Sequence, residues 1–137
     1  MQPEGILETC LYADDLVAAE RFYTQILGLR LVRREVTRHL FFRCGDHMLL
    51  IFRPDASMRR PLIGDRTPVP PHGAKGPGHV CFRVQATEFP RWIQRLQSHR
   101  IRIEADFHWP GGARSLYFRD PAGNSLEFAE PRLWPMD

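Results

Sequence analysis

The sequence predicts an α+β fold made of two copies of a βαβββ unit. The first observation is an internal repeat, because HLFFR at residues 39–43 matches SLYFR at residues 115–119 at an offset of 76 residues. An offset of 71 residues aligns Glu8 with His79, and the first strand of each copy falls there. The second observation is that an amphipathic helical pattern follows each of these strands. A unit that recurs with its elements in the same order indicates a duplicated fold.

The first copy spans residues 5–53 and begins with a strand predicted over residues 5–13. Asp14 and Asp15 then offer an N-cap to a helix, and Gly28 stands where a left-handed C-cap is expected. The apolar face of this helix comprises Leu16, Ala19, Tyr23, Ile26 and Leu27. Three strands are predicted to follow, at residues 29–35, 38–44 and 48–53.

A connector of residues 54–77 separates the copies, and its proline and glycine content argues against regular structure. Two interpretations stay open for this connector, a passive linker and a lid over a binding site. The whole chain of residues 1–137 is expected to fold as a single domain.

The second copy spans residues 78–130 and repeats the order of the first. It is predicted to contain a strand at residues 78–84 and a helix that Thr87 caps, with Pro90 tolerated in the first turn. The apolar face of that helix comprises Phe89, Trp92, Ile93 and Leu96. The remaining strands are predicted at residues 101–105, 114–119 and 125–129, and the tail 131–137 is predicted to be unstructured.

The composition favours a globular protein of the cytoplasm. Hydrophobic residues make up 43% of the chain and charged residues 26%, with no apolar run of about 18 residues and no signal-peptide pattern at the start. Cys10, Cys44 and Cys81 have no metal-finger or disulfide spacing, so we expect buried, reduced thiols. The net charge of +3 is dispersed in short pairs, which argues against a nucleic-acid partner.

Alternation along the strands sorts their side chains into two faces. One set is apolar and should pack under the helices; it comprises Leu7, Leu11, Val80, Phe82, Val84, Leu116, Phe118, Leu126 and Phe128. The opposite set is polar in part and includes Glu8, His79 and Glu127.

Glu8, His79 and Glu127 are therefore candidates for a shared metal site. Taken singly, Glu8 is better interpreted as a carboxylate in water, and His79 as a hydrogen-bonded interior histidine. Two carboxylates and an imidazole that converge would be costly to bury, and a bound divalent metal would offset that cost. Three protein ligands would leave coordination positions open for a substrate.

The sequence resembles the vicinal oxygen chelate superfamily, which includes glyoxalase I, extradiol dioxygenases, and fosfomycin- and bleomycin-resistance proteins. The motifs that carry the resemblance extend over most of residues 6–130. They are YADDL at 12–16, RFY at 21–23, LGL at 27–29, GHVCF at 78–82, DPAGN at 120–124 and LEF at 126–128. The resemblance implies paired βαβββ modules that form a half-open mixed β-barrel, with the helices packed on its outer face.

The resemblance also implies that Glu8, His79 and Glu127 are metal ligands. The fourth ligand position of the family aligns with Ile51, which cannot coordinate, and Glu8 stands where three-ligand members usually have histidine. The site is therefore harder and more anionic than a typical iron oxygenase site, and Mn, Zn, Ni or Fe is the expected cofactor.

Two functions are predicted for such a protein. The first is a metal-dependent lyase, isomerase, transferase or oxygenase, in which the ion is a Lewis acid toward a small substrate that chelates through adjacent oxygens. Tyr117 and Arg83 are the candidate catalytic residues, and the candidate substrate contacts are Tyr12, Phe41 and Arg119. The second is a metal-free drug- or metabolite-binding protein of the bleomycin-resistance type. A scaffold with a decayed site is a third possibility, and a homodimer is expected.

Overall fold

The fold of the chain is described from a computed structural model, which describes residues 1–135. The chain divides into two compact units, Met1–Gly76 and Pro77–Asp137, called here the first and the second unit. Each unit is a βαβββ module with a four-stranded mixed sheet, so the predicted fold class is confirmed. No helix within residues 1–135 is long and apolar enough to cross a membrane.

The first unit contains strands β1 (Glu8–Tyr12), β2 (Arg30–Glu35), β3 (His39–Cys44) and β4 (His47–Phe52), in the sheet order β1-β4-β3-β2. β1 runs parallel to β4, and the other neighbours are antiparallel. Helix α1 (Leu16–Arg21) continues into a π-helical segment, Phe22–Ile26. The predicted cap is confirmed, since Asp15 accepts a hydrogen bond from the Ala18 N–H at 3.0 Å. Gly28 has the expected positive φ of 71°.

The second unit contains β5 (His79–Arg83), β6 (Ala105–His108), β7 (Arg114–Arg119) and β8 (Ser125–Ala129), in the order β5-β8-β7-β6. Helix α3 (Phe89–Ser98) follows a 3-10 turn, Ala86–Glu88. β5 is parallel to β8, and the remaining pairs are antiparallel.

In each unit the helix packs on the apolar face of its own sheet. Tyr23 is fully buried, with its ring centroid 5.5 Å from that of Phe42 on β3. In the second unit the centroid of Trp92 on α3 lies 4.6 Å from that of Phe128 on β8. Removing these large apolar side chains from water supplies the main driving force for folding.

Several element boundaries were predicted wrongly. β1 begins at Glu8, because its ladder with β4 starts there, and Leu7 is 75% exposed and not packed under a helix. The capping box before α3 is formed by Gln85 and Glu88 and not by Thr87. β6 is displaced from residues 101–105 to Ala105–His108, since the Ile101 N–H still bonds the helix carbonyl of Leu96.

The connector and the tail are more ordered than predicted. Residues Pro54–Ser57 form a short helix, α2, and the His72 N–H donates to the Ser57 carbonyl at 3.0 Å. In the tail, Pro131–Leu133 forms a 3-10 turn, while the last two residues of the predicted unstructured segment, 136 and 137, lie outside the described residues. Proline at the first positions of each helix favours these short turns.

The thiols are free, but the prediction that they are buried is wrong. Cys10 and Cys81 are exposed, and Cys44 is half-buried. Cys10 and Cys81 occupy strand positions that alternate with less exposed ones, so they point away from the helix layer.

The turn between β7 and β8 also fixes the start of β5. Asn124 is 1% exposed; its Oδ1 accepts from the Gly78 N–H at 2.8 Å and its Nδ2 donates to Asp120 at 2.9 Å. We expect Asn124→Ala to lower the free energy of unfolding by about 1 to 3 kcal/mol, because the half-buried Gly78 N–H and the buried Asp120 carboxylate each lose a hydrogen bond. Gln97→Ala on the exposed side of α3 is the control and should change it by less than about 0.5 kcal/mol. Equal urea midpoints for the two variants would contradict this role.

Candidate metal site

Strand register brings five side chains of the second unit together on one face of the sheet. Cys81 and Glu127 are paired across β5 and β8, and Tyr117 and Glu127 are paired across β7 and β8. Side chains that are paired across neighbouring strands lie on the same face. The members of this Glu127 cluster are Glu127, His79, Cys81, Ser115 and Tyr117.

The carboxylate of Glu127 is buried, with 5% of the residue exposed. Its Oε1 accepts a hydrogen bond from the Ser115 hydroxyl at 2.6 Å, and the Ser115 oxygen in turn accepts from the Trp109 indole N–H at 2.8 Å. This chain of two bonds fixes the orientation of the carboxylate. A buried carboxylate is tolerated only when such partners replace water.

The second carboxylate oxygen of Glu127 faces His79. The Nδ1 of His79 lies 2.9 Å from the Ser125 carbonyl, which can only accept, so the hydrogen bond assigns a proton to Nδ1. In the neutral ring Nε2 then carries a lone pair, and it lies 3.3 Å from Oε2 of Glu127. Two acceptor atoms at this distance repel unless a proton or a metal ion lies between them.

This pair of atoms fits a metal ion. Two atoms 3.3 Å apart can both lie about 2.0 to 2.2 Å from one ion, the distances at which imidazole nitrogen and carboxylate oxygen bind zinc. Metal-binding histidines commonly donate the other ring N–H to a carbonyl, as His79 does to Ser125. The chemistry of the donors therefore suits a divalent cation.

Two neighbouring acidic groups keep their protons beside Glu127. Partial loss of water and the Glu127 carboxylate raise the pKa of the Tyr117 hydroxyl to about 12. The same two causes raise the pKa of the Cys81 thiol to about 12. At neutral pH both groups are therefore neutral hydrogen-bond donors. The Tyr117 ring is stacked between His79 and Phe107, with centroid distances of 6.2 and 5.9 Å.

The two arginines selected from the sequence differ in their contacts. Arg83 is exposed on β5, and its side chain makes no hydrogen bond or ion pair within the described chain. Arg119 donates to Glu104 at 2.6 Å and to the Gly123 carbonyl at 3.1 Å. Arg83 is therefore available for an anionic substrate, whereas Arg119 would have to leave an ion pair.

The first unit supplies the other selected residues. Glu8 is exposed at the start of β1. The Tyr12 hydroxyl lies 2.7 Å from Nδ1 of His72 in the connector, and Phe41 stacks on His39 at a centroid distance of 4.1 Å. Within each unit taken alone, no three His, Cys, Asp or Glu side chains among residues 1–135 are grouped to hold a metal ion. The ligand set Glu8, His79 and Glu127 stays a prediction.

The alignment of Ile51 with Glu127 is wrong by one residue. Glu127 is paired with Cys81 and Tyr117, and the residue with the corresponding partners in the first unit, Cys10 and Phe41, is Leu50. Four residues lie between the paired residues Arg43 and Met48, and five lie between the equivalent pair Arg119 and Ser125, which shifts the offset from 76 to 77. Leucine cannot bind a metal either.

Sequence reasoning did not select Ser115 or Trp109 as functional residues. Ser115 carried a usable signal, since it lies two residues before Tyr117 and so shares its face of the strand. Trp109 lies in the loop after β6, where no periodicity applies, and only the fold shows that its indole reaches Ser115.

Comparisons with known proteins agree with this fold. A family model described as "Glyoxalase/Bleomycin resistance protein/Dioxygenase superfamily" matches residues 5–128. A solved structure titled lactoylglutathione lyase, from Agrobacterium tumefaciens, is 44% identical with a TM-score of 0.90, covering 99% of this chain and 100% of that chain. The fosfomycin resistance protein FosX of Mesorhizobium loti shares the fold at 19% identity and a TM-score of 0.65, over 94% of this chain and 93% of its own.

A curated protein of Bacillus subtilis is also similar. It is MhqE, which is provisionally named a ring-cleaving dioxygenase, and it is 29% identical over 140 aligned positions. The match covers 95% of this chain but only 42% of MhqE. The chain thus spans less than half the length of that relative.

The raised pKa of Cys81 predicts slow alkylation of its exposed thiol. In a Cys10→Ser/Cys44→Ser background with chelator present, the rate with iodoacetamide should rise with pH up to pH ~10 without levelling, because only the thiolate reacts. Glu127→Gln removes the adjacent negative charge and lowers the pKa, so alkylation at pH ~8 should become about tenfold faster. Glu4→Gln, in the exposed N-terminal segment, is the control. A plateau in the rate near pH ~9 before substitution would contradict the assigned environment.

Proposed function

Because the chain belongs to the Glyoxalase/Bleomycin resistance protein/Dioxygenase superfamily, we propose that it is a metal-dependent enzyme. Glu8, His79 and Glu127 would hold one divalent ion, either Mn, Zn, Ni or Fe. The observation that supports the proposal is the distance of 3.3 Å between Nε2 of His79 and Oε2 of the buried Glu127 carboxylate. A cation at this position resolves the repulsion between the two acceptors and completes the partners of a buried charge.

The bound ion would supply Lewis-acid stabilisation of negative charge on a substrate that chelates through two adjacent oxygens. The chain's own residues would hold the ligands and the substrate in place. Trp109 and Ser115 fix the carboxylate of Glu127 through their hydrogen bonds. Ser125 fixes the ring of His79. Ligands held in this way need no reorganisation when the substrate binds.

Tyr117 and Arg83 are the proposed catalytic residues. The hydroxyl of Tyr117, whose pKa is raised to about 12, keeps its proton at neutral pH and can donate a hydrogen bond to a developing oxyanion. Arg83 offers a guanidinium with no competing carboxylate within the described chain. Tyr12, Phe41 and Arg119 are retained as proposed substrate contacts.

Among the reactions of the superfamily, a lyase or isomerase reaction is favoured over an oxygenase reaction. The lactoylglutathione lyase structure matches this chain at 44% identity over its full length, whereas MhqE is matched over less than half of its own. A lactoyl thioester carries a hydroxyl oxygen beside a carbonyl oxygen, which is the arrangement that chelation requires. A substrate of this kind, a 2-hydroxy or 2-oxo acyl compound, is therefore proposed.

We also propose that the protein is a homodimer of the cytoplasm. Three free cysteines suit a reducing compartment. β2 is an edge strand of the first sheet, and it exposes Val32 at 47%. An exposed edge of this kind is commonly covered by a partner. Size-exclusion chromatography with light scattering measures the oligomeric state directly.

Metal content tests the proposed function. After incubation with Mn, Zn or Ni and desalting, the protein should retain about one equivalent by elemental analysis and should melt at a higher temperature. Glu8→Gln, His79→Gln and Glu127→Gln should each lose most of that metal, because each removes one ligand. The same metal-loaded protein should form the lactoyl thioester by isomerising the hemithioacetal of glutathione and the corresponding 2-oxoaldehyde, followed by the rise in thioester absorbance, and Tyr117→Phe should lower kcat.

The control for these variants is Glu4→Gln, which removes a carboxylate from the exposed N-terminal segment. It should leave metal content and melting temperature unchanged. A protein that binds none of the metals, or whose metal survives all three ligand substitutions, would contradict the proposal. That result would favour the metal-free binding protein.

A further inference from the structure

A cavity lies within the first unit and uses none of the proposed metal ligands. Its volume is about 930 Å³, and it is lined by residues of β2, β3 and the connector, from Arg33 to Val69. Six arginines and three carboxylates line it. The arginines are Arg33, Arg34, Arg38, Arg53, Arg59 and Arg60.

Most of this positive charge is not neutralised by ion pairs. Arg34 binds Glu20, and Arg53 donates to Asp55 at 2.8 Å. Arg33, Arg59 and Arg60 make no ion pair or hydrogen bond through their side chains within residues 1–135. Among the carboxylates, Asp65 accepts a hydrogen bond from the Leu62 backbone N–H at 2.7 Å, so it is engaged within the connector. The cavity therefore keeps a surplus of guanidinium groups.

His39 adds a buried donor that has no partner. The residue is 7% exposed and lines the cavity. Its Nδ1 lies 3.0 Å from an Arg38 nitrogen, and since arginine can only donate, Nδ1 is the acceptor. Burial and the charges of Arg38 and Arg33, opposed by Glu35, lower the pKa of His39 and keep the ring neutral. The ring proton is therefore on Nε2, which is buried without a hydrogen-bond partner.

Arg53 repeats this pattern. Its Nε is also buried without a partner, although another of its nitrogens reaches Asp55. Three buried side-chain polar atoms lack a partner in the described part of the chain, and two of them belong to residues that line this cavity. Buried donors without acceptors are rare in proteins.

We propose that this cavity is a binding site for a small organic anion with two or more carboxylate or phosphate groups. Arginine forks bind both groups through paired N–H donors. A volume of about 930 Å³ suits an organic molecule and exceeds what an inorganic ion needs. A concave recess suits a small ligand better than a polynucleotide, which binds along an extended basic surface.

Calorimetric titration of the full-length, metal-free protein tests this proposal, with pyrophosphate and citrate as probes at constant ionic strength. At least one probe should bind with a sub-millimolar Kd, and chloride at the same ionic strength should not compete. Arg59→Gln/Arg60→Gln should weaken binding about tenfold or more, because it removes two exposed guanidinium groups that have no structural partner. The stronger probe distinguishes a phosphate ligand from a carboxylate ligand.

Two variants test whether probe binding depends on this cavity and not on net charge or on the proposed metal site. Arg91→Gln/Arg102→Gln removes two exposed arginines of the second unit and should leave the Kd within about twofold. Glu127→Gln should also leave it unchanged, so the anion site can exist even if the metal site does not. Binding of neither probe, or equal weakening in both double variants, would overturn the proposal.

Discussion

The buried carboxylate of Glu127 constrains the whole polar face of the second sheet. A charge withdrawn from water costs several kcal/mol unless other groups replace the lost solvation. Here the replacement comes from four neighbours on two strands: the hydroxyl of Ser115, the neutral groups of Tyr117 and Cys81, and the ring of His79. In the neutral imidazole the ring nitrogen that faces the carboxylate is itself an acceptor. A proton on that nitrogen or the proposed metal ion would complete this arrangement.

The two copies of the module carry different polar groups on the sheet face opposite the helix. Where the second unit has Glu127 and Tyr117, the equivalent positions of the first unit hold Leu50 and Phe41. Ser115 corresponds to His39, which lines the arginine-rich cavity. The shared apolar face preserves the fold in both copies, because a strand tolerates change on the face that does not pack against a helix. The opposite face has therefore diverged into two chemically distinct surfaces.

Strand alternation and the internal repeat predicted the structural features that depend only on nearby residues in the sequence. The bounds of β7 and β8 and the Asp15 cap follow from residue pattern alone, and all three are confirmed. The displaced β6 could not be predicted, because its start depends on where the ladder with β7 supplies partners. The Trp109–Ser115 bond and the arginine cavity join residues from loops to strands, so no spacing along the chain indicates them. The one-residue error at Ile51 arose from a turn length that a fixed offset cannot represent.

The central claim is that a cation lies between His79 and Glu127, and anomalous diffraction tests it most directly. Crystals grown with Mn or Zn should be measured at the absorption edge of that metal. The account predicts one strong anomalous peak within about 2.3 Å of both Nε2 of His79 and Oε2 of Glu127. An anomalous map with no peak there, at full metal loading of the crystal, would contradict it.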